Sequence, residues 1–229
     1  PVRWLLALLD GEVVSLEFAG VKSGKVTYGH RFSAPAAIEV RSVEHYEDKL
    51  ADADVMLSQD VRRSTIRAML SVCADQAGGV IVDDPELVDE VAFLVENVNA
   101  VPVTFSHDYL KLPDEVLISS MRSHQRYFAV AHAETGALLN SCVVIYNTPV
   151  RDADVVRAGN LRVLMARLED AKFFWEQDLK TPLADRVERL DDVVWLRELG
   201  TLRERSARMS QLAASIANKL EFDADRIDT

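Results

Sequence analysis

The hydrophobic period of this chain changes once, near Asn147 to Asp152. Before that point apolar residues recur in some stretches at every second position and in others at every third or fourth. Beyond it only the helical period remains. Period two places side chains on alternate faces of a strand, and period 3.6 places them along one stripe of a helix. The pattern therefore predicts an α+β fold. A mixed strand and helix portion spans residues 1–148, and an all-helical portion spans 149–229 and leads toward a following domain. A length of 229 residues suits one large or two small domains, at roughly 150 residues each. The chain starts at Pro1 rather than Met and reads as an interior piece of a longer protein.

Local signals place the elements. Val2 to Leu9 and Val13 to Phe18 are apolar runs separated by Asp10-Gly11, a hairpin signal because both central residues of the tight turn need positive φ. A short strand is expected over Lys25 to Tyr28. Val43 to Leu50 fits a short helix. Val61, Thr65, Ile66, Met69, Leu70 and Cys73 form the stripe of a longer one, ended by Gly78-Gly79. Asp84 as N-cap and Pro85 at the first helical position start the next. Strands follow at Val80 to Val82, Val101 to Phe105, Tyr127 to Ala131 and Leu138 to Tyr146. A helix from Pro113 runs to about Ser123. In the last portion Ala158, Leu161, Leu164, Met165, Leu168, Ala171, Phe174 and Trp175 form one stripe. Thr181-Pro182 caps a further helix, and Leu199 to Leu220 reads as one more.

Charge narrows the function classes. Acids outnumber bases 37 to 26, for a net charge of −11. General electrostatic binders of nucleic acid carry the opposite sign, so RNA contact requires local basic patches. The same sign disfavours an anionic membrane surface, and no apolar run approaches the roughly 18 residues of a membrane span. Cys73 and Cys142, far apart in apolar stretches, fit reduced core residues of a cytosolic protein.

Several chemistries lack their residues. Ser23-Gly24-Lys25 fails the phosphate-loop pattern, because Val26 follows the lysine and Ala19 stands where the first glycine belongs. His30, His45, His107, His124 and His132 are not paired at metal-ligand spacing, so no metal site is expected. There is no nucleophile elbow. The pairs Asp83-Asp84 and Asp191-Asp192 sit at helix starts or turns, where the helix dipole accounts for them. No catalytic residue and no cofactor is expected in this piece.

Four clusters stand out. Met121 to Phe128 holds Arg122, His124, Arg126 and Tyr127 at a helix-to-strand junction, with no acid between Glu115 and Glu134. Guanidinium groups contact phosphates bidentately, and aromatic rings stack on unpaired bases. The alternative puts Tyr127 or Phe128 in the core and the arginines at solvated ends. In the second cluster Arg157, Arg162 and Arg167 are five apart, which spreads them over about 280° of a helix rather than one face. Phe174 and Trp175 extend the core stripe there, and Phe173 is expected to be covered by another domain, with a base-stacking platform as the alternative. Gly29-His30-Arg31-Phe32 is a third cluster, with an exposed loop as its simpler reading. Leu199 to Arg205 is the fourth, where Gly200-Thr201 can break and recap a helix. The candidate RNA-binding residues are Arg122, His124, Arg126, Tyr127, His30, Arg31, Arg162 and Arg167.

In order and spacing these segments resemble the β subunits of the two-subunit bacterial glycyl-tRNA synthetases. The resemblance is carried by Arg3-Trp4-Leu5 with Asp10, Gly29-His30-Arg31-Phe32, and Met121 with His124-Gln125 and Tyr127-Phe128. It continues through Gly159-Asn160, Arg162-Val163, Ala166-Arg167-Leu168 with Asp170-Ala171, Phe173-Phe174, Asp178 and Leu199-Gly200-Thr201-Leu202. It extends from about Val2 to about Ala217. It implies an interior portion of a subunit whose further parts include a helical His-Asp-type domain and a C-terminal anticodon-binding domain.

What the resemblance implies is a cytoplasmic aminoacyl-tRNA synthetase, an α–β heterotetramer that attaches glycine to its tRNA with ATP. Glycine activation is then expected on the α subunit, with ATP used by the full enzyme. The β subunit engages tRNA and is needed for aminoacylation. The expected partners are the α subunit and the tRNA for glycine. A different class remains open, a structural scaffold that holds the α subunit and other β domains. A hydrolytic editing domain is disfavoured, because no Thr, Cys and His cluster that could position a water is evident.

Overall fold

Phe128–Ala131, apolar throughout, and Leu138–Tyr146, apolar except for Asn140 and Ser141, are strands at the centre of one sheet, and that centrality explains their lack of strict alternation. In the computed structural model, which describes residues 2–222, the elements follow in order. They are β1 (Leu5–Leu6), β2 (Leu8–Leu9), β3 (Glu12–Val13), β4 (Glu17–Phe18), β5 (Val21–Gly24), β6 (Val26–Tyr28), β7 (Ala37–Glu39), α1 (Val43–Asp52) and α2 (Gln59–Gln76). Then come β8 (Val80–Ile81), α3 (Pro85–Leu94), β9 (Asn99–Thr104), a 3-10 turn at His107–Lys111, α4 (Asp114–Gln125), β10 (Phe128–Ala131) and β11 (Leu138–Tyr146). The last are α5 (Ala153–Leu179), a 3-10 helix at Ala184–Asp192, β12 (Val194–Leu196), β13 (Gly200–Thr201) and α6 (Leu202–Lys219). The fold is α+β, as the period predicts.

The central sheet is antiparallel, in the order β8-β10-β11-β9. Phe128 and Val130 of β10 and Val143 of β11 join Ile66, Leu70, Cys73 and Ala74 of α2 and Leu87, Val88, Val91 and Ala92 of α3 in one core. Each large side chain buried there contributes roughly 1.5–3 kcal/mol. Solvated ion pairs contribute roughly 0–1 kcal/mol each, so this core holds the domain together. α4 runs beside β10, with Leu117 and Met121 fully buried. The first part of α5 is tied to the same body, with Leu164 and Leu168 fully buried. Arg157 Nε donates to the Pro102 carbonyl at 3.0 Å, and Tyr109 bonds to Glu169.

Local signals are met in detail. Asp10 and Gly11 have φ of 51° and 84° and join β2 to β3. The Asp84 carboxylate accepts from the Leu87 N–H at 2.9 Å and caps α3. The period switch falls between the end of β11 and the start of α5. By contacts the chain forms two compact units, Pro1–Lys172 and Phe173–Thr229.

The second unit departs from a purely α-helical reading in two places. Val194 and Leu196 pair with Thr201 and Gly200 in a two-stranded ladder, which is too short to leave a period. The segment after Thr181-Pro182 is a 3-10 helix in which no residue is buried. Without an apolar face to dock, nothing selects a full α-helix over tighter i→i+3 turns. Arg186 from this helix donates to the Gln177 carbonyl at 2.9 Å and to the Asp178 carboxylate at 2.9 Å, satisfying groups at the end of α5. Thr201 does recap the chain, in a reciprocal capping box with Glu204. Phe174, expected to extend the buried stripe, is 63% exposed and meets Phe173 edge-on at 5.5 Å. A period tells which residues share a face, not whether anything lies against that face.

Candidate nucleic-acid interface

The helix-to-strand junction forms as the sequence suggests, and its arginines find partners that local sequence does not show. α4 ends at Gln125, and Arg126 takes the left-handed conformation, φ 55°, that stops it. The amide N–H groups of Arg126 and Tyr127 return to the carbonyls of Arg122 and Met121 at 3.2 and 3.1 Å. This turn throws Arg122 and Arg126 toward α3. Arg122 Nε donates to Asp84 Oδ2 at 2.6 Å, and a terminal nitrogen reaches Glu86 at 3.2 Å. Arg126 Nε donates to Glu90 Oε1 at 2.7 Å. Burial pushes the Asp84 carboxyl up. The Arg122 hydrogen bond, the Leu87 N–H and the Arg122 charge together outweigh it and hold the group below the ordinary carboxylate range.

Tyr127 is 3% exposed, and its hydroxyl donates to Asn160 Oδ1 at 2.6 Å. Desolvation, with a smaller contribution from Cys142, pushes its phenol up to about 12. His30 is fully buried. Its Nε2 lies 3.1 Å from Asn147 Nδ2, and its Nδ1 lies 3.3 and 3.4 Å from the amide nitrogens of Ser33 and Phe32. A side chain with almost no accessible surface cannot stack on a base or reach a phosphate, so in this conformation His30 holds the Phe32 and Ser33 amides and Tyr127 holds the Asn160 side chain, and neither faces RNA. His124, Arg31, Arg162 and Arg167 are exposed. The structure thus gathers Arg122, Arg126 and Tyr127 with α3, and places His30 and Arg31 in a separate loop. Arg162 and Arg167 lie on α5.

That loop opens onto a cleft of about 540 Å³ that the candidate list reaches only through Arg31. Arg3, Trp4, Tyr28, Gly29 and Glu96 also line it. Trp4 and Tyr28 are tilted against each other with centroids 4.8 Å apart, and remain 42% and 39% exposed. Gly29 packs so tightly that a Cβ there would lie 2.4 Å from the Ala53 Cβ and 2.8 Å from the Ala34 carbonyl oxygen. The Glu96 amide donates to Asn147 Oδ1 at 2.7 Å, and its carbonyl accepts from the Met56 N–H at 2.7 Å. The signal for Arg3 and Trp4 was a basic residue beside a large aromatic before the first strand.

Comparison with known proteins adds an independent observation. The family model described as the glycyl-tRNA synthetase β subunit matches residues 1–228. The chain belongs to this family. The glycine–tRNA ligase β subunit of Geobacter sulfurreducens is 46% identical over 220 residues, covering 96% of this chain and 32% of the relative. That of Moorella thermoacetica is 40% identical over 227 residues, covering 99% and 33%. That of Anaeromyxobacter dehalogenans is 44% identical over 225 residues, covering 98% and 32%. The chain thus spans about a third of the length of these curated β-subunit relatives. No helix among the described residues is long and apolar enough to cross a membrane.

Proposed function

We infer that this chain is a tRNA-engaging and assembly portion of the β subunit of a two-subunit glycine–tRNA ligase. The observation that carries this is family membership along almost the whole chain at 40–46% identity. In this reading the full heterotetramer works in the cytoplasm and charges the tRNA for glycine with ATP. Glycine activation takes place on the α subunit, and this portion contributes RNA and subunit contacts without catalytic groups of its own. Exposed cations in an acidic chain support it, since Arg31, Arg162 and Arg167 offer positive charge where the net charge of −11 would otherwise repel phosphate. The test is binding of a glycine tRNA transcript across a salt series. Phosphate contacts predict that log K falls linearly with log salt. Binding that is absent, or indifferent to salt, sinks the tRNA reading. The chain alone is also expected to show no glycine-dependent pyrophosphate exchange.

A scaffold role is the second reading. What favours it is that Arg122 and Arg126 are already satisfied by Asp84, Glu86 and Glu90, while His30 and Tyr127 are interior. It predicts salt-insensitive association with the α subunit and no measurable affinity for tRNA.

A further inference from the structure

The cleft around Arg31 carries more chemistry than the positive charge of Arg31 itself. We propose that it holds one unpaired nucleotide of RNA, its phosphate on Arg3 and Arg31 and its base stacked on the Trp4–Tyr28 pair. The proposal rests on the reading that this chain engages RNA, and it names the site and the form of RNA.

Four observations lead there. The volume, about 540 Å³, falls within the range of roughly 300–1,000 Å³ typical of small-ligand sites. Arg3 and Arg31 form no ion pair among the described residues, whereas Arg63, Arg122, Arg126, Arg157, Arg186 and Arg203 all do. Both side chains are exposed, and Arg31 lies over the Phe32 ring at 5.5 Å, a contact with the face of the guanidinium that leaves its N–H edge for an anion; a phosphate takes two parallel N–H donors from such a fork. The two aromatic rings are about 40% exposed in a concave place, where a base can cover them and any base presents a π-face. The cleft is also fixed before binding: the close approach at Gly29 and the buried His30 hold one wall, and both backbone groups of Glu96 are bonded on the other. Little ordering is left for the bound state, which favours affinity.

Glu96 decides between RNA and an acidic protein segment. Glu96 lines the cleft, and its carboxylate forms no ion pair among the described residues. An acidic peptide would meet it as a like charge. A base meets it as an acceptor for ring and exocyclic N–H groups, since an ionised carboxylate only accepts. Guanine presents two adjacent N–H donors on its pairing edge. Uracil presents a single N–H between two carbonyls. With its carboxylate turned to the pairing edge of the stacked base, Glu96 favours guanosine over uridine.

The test uses the whole chain with fluorescently labelled single-stranded RNA trinucleotides, one containing guanosine and one of uridine alone, and with a glycine tRNA transcript. Binding is read by anisotropy, and occupancy of the cleft by quenching of tryptophan fluorescence. The guanosine trinucleotide should bind more tightly and quench the tryptophan signal. Arg3→Ala and Arg31→Ala should each weaken binding about tenfold and lower the salt slope by up to about 0.7. Trp4→Ala should weaken it about tenfold. Trp4→Phe should keep most of the affinity and lose the quenching, which separates lost stacking from misfolding. Glu96→Gln should erase the preference for guanosine. Unchanged affinity in the Arg3, Arg31 and Trp4 variants overturns the cleft, even when the tRNA still binds and the family reading survives. Trinucleotide binding that obeys this pattern while the tRNA fails to bind upholds the cleft and overturns tRNA engagement. Quenching by the α subunit and not by RNA overturns the cleft as an RNA site.

Discussion

Arg122 Nε and Asp84 Oδ2 lie 2.6 Å apart although 38 residues separate them in sequence. One carboxylate oxygen takes the guanidinium, and the other caps α3 through the Leu87 N–H at 2.9 Å. Asp84 thus joins the start of α3 to α4. Its side chain is 23% exposed and that of Arg122 is 37% exposed. The two partners are therefore unequal. Asp84→Ala removes a cap, worth about 1 kcal/mol, and strips Arg122 of its main partner. Arg122→Ala removes a partly solvated pair, worth at most about 1 kcal/mol. Urea unfolding should show Asp84→Ala as clearly the more destabilising, and Asp84→Asn as intermediate because it keeps a capping oxygen. Equal losses in the two alanine variants would contradict this division.

Acid should release the same contact. The folded carboxyl of Asp84 is held below its ordinary value, so the folded state binds its proton more weakly than the unfolded state does. The stabilisation is complete above the unfolded value, about 3.9. It is lost as pH falls below that value and through the lower folded one. Unfolding midpoints measured between neutral pH and pH 3 should fall more steeply in the wild type than in Asp84→Asn. Parallel curves would show that the pair has no linkage to folding.

Arg126 stands in a conformation that favours glycine, with φ at 55°. Left-handed backbone costs a residue with a Cβ about 1–2 kcal/mol. Both Arg126→Gly and Arg126→Ala lose the ion pair to Glu90, so comparing them isolates the backbone. The glycine variant should be more stable than the alanine variant by about 1 kcal/mol. If alanine proves equal or better, the turn that ends α4 is not held left-handed in solution.

Tyr127→Phe keeps the ring and removes the bond to Asn160 Oδ1. It should cost about 1 kcal/mol in chemical denaturation, while binding to a tRNA transcript stays unchanged because the ring is interior. Spectrophotometric titration gives a second readout. Burial pushes this phenol up to about 12, so comparison of the wild type with Tyr127→Phe should show one fewer tyrosine ionising at that end of the curve. A missing tyrosine near pH 10, the ordinary value, would mean that Tyr127 reaches solvent.

Gly29→Ala should damage both the fold and the cleft. The added Cβ would meet the Ala53 Cβ and the Ala34 carbonyl oxygen at 2.4 and 2.8 Å. Overpacking of this kind costs about 1–3 kcal/mol. The Tm should fall by several degrees, and the tryptophan emission should shift as the wall beside Tyr28 moves. An unchanged Tm would show that the loop relaxes freely.

What the sequence determined by itself was local. The Asp10-Gly11 turn, the Asp84-Pro85 helix start, the recapping at Thr201 and the limits of Leu138–Tyr146 depend on a few neighbouring residues, and each formed as read. Family membership was legible too, because many weak motifs in fixed order are jointly specific. Contacts between distant segments were decided only by the tertiary structure. The window from Glu115 to Glu134 contains no acid, and that made Arg122 and Arg126 look unneutralised. The acids Asp84, Glu86 and Glu90 come from α3, which the antiparallel order β8-β10-β11-β9 helps bring beside them. Burial of His30 depends likewise on Asn147, 117 residues away. Arg3, Trp4, Tyr28 and Glu96 share one cleft for the same reason. Hydrophobic period and local charge report which residues share a face, and electrostatic partners are set by which faces meet.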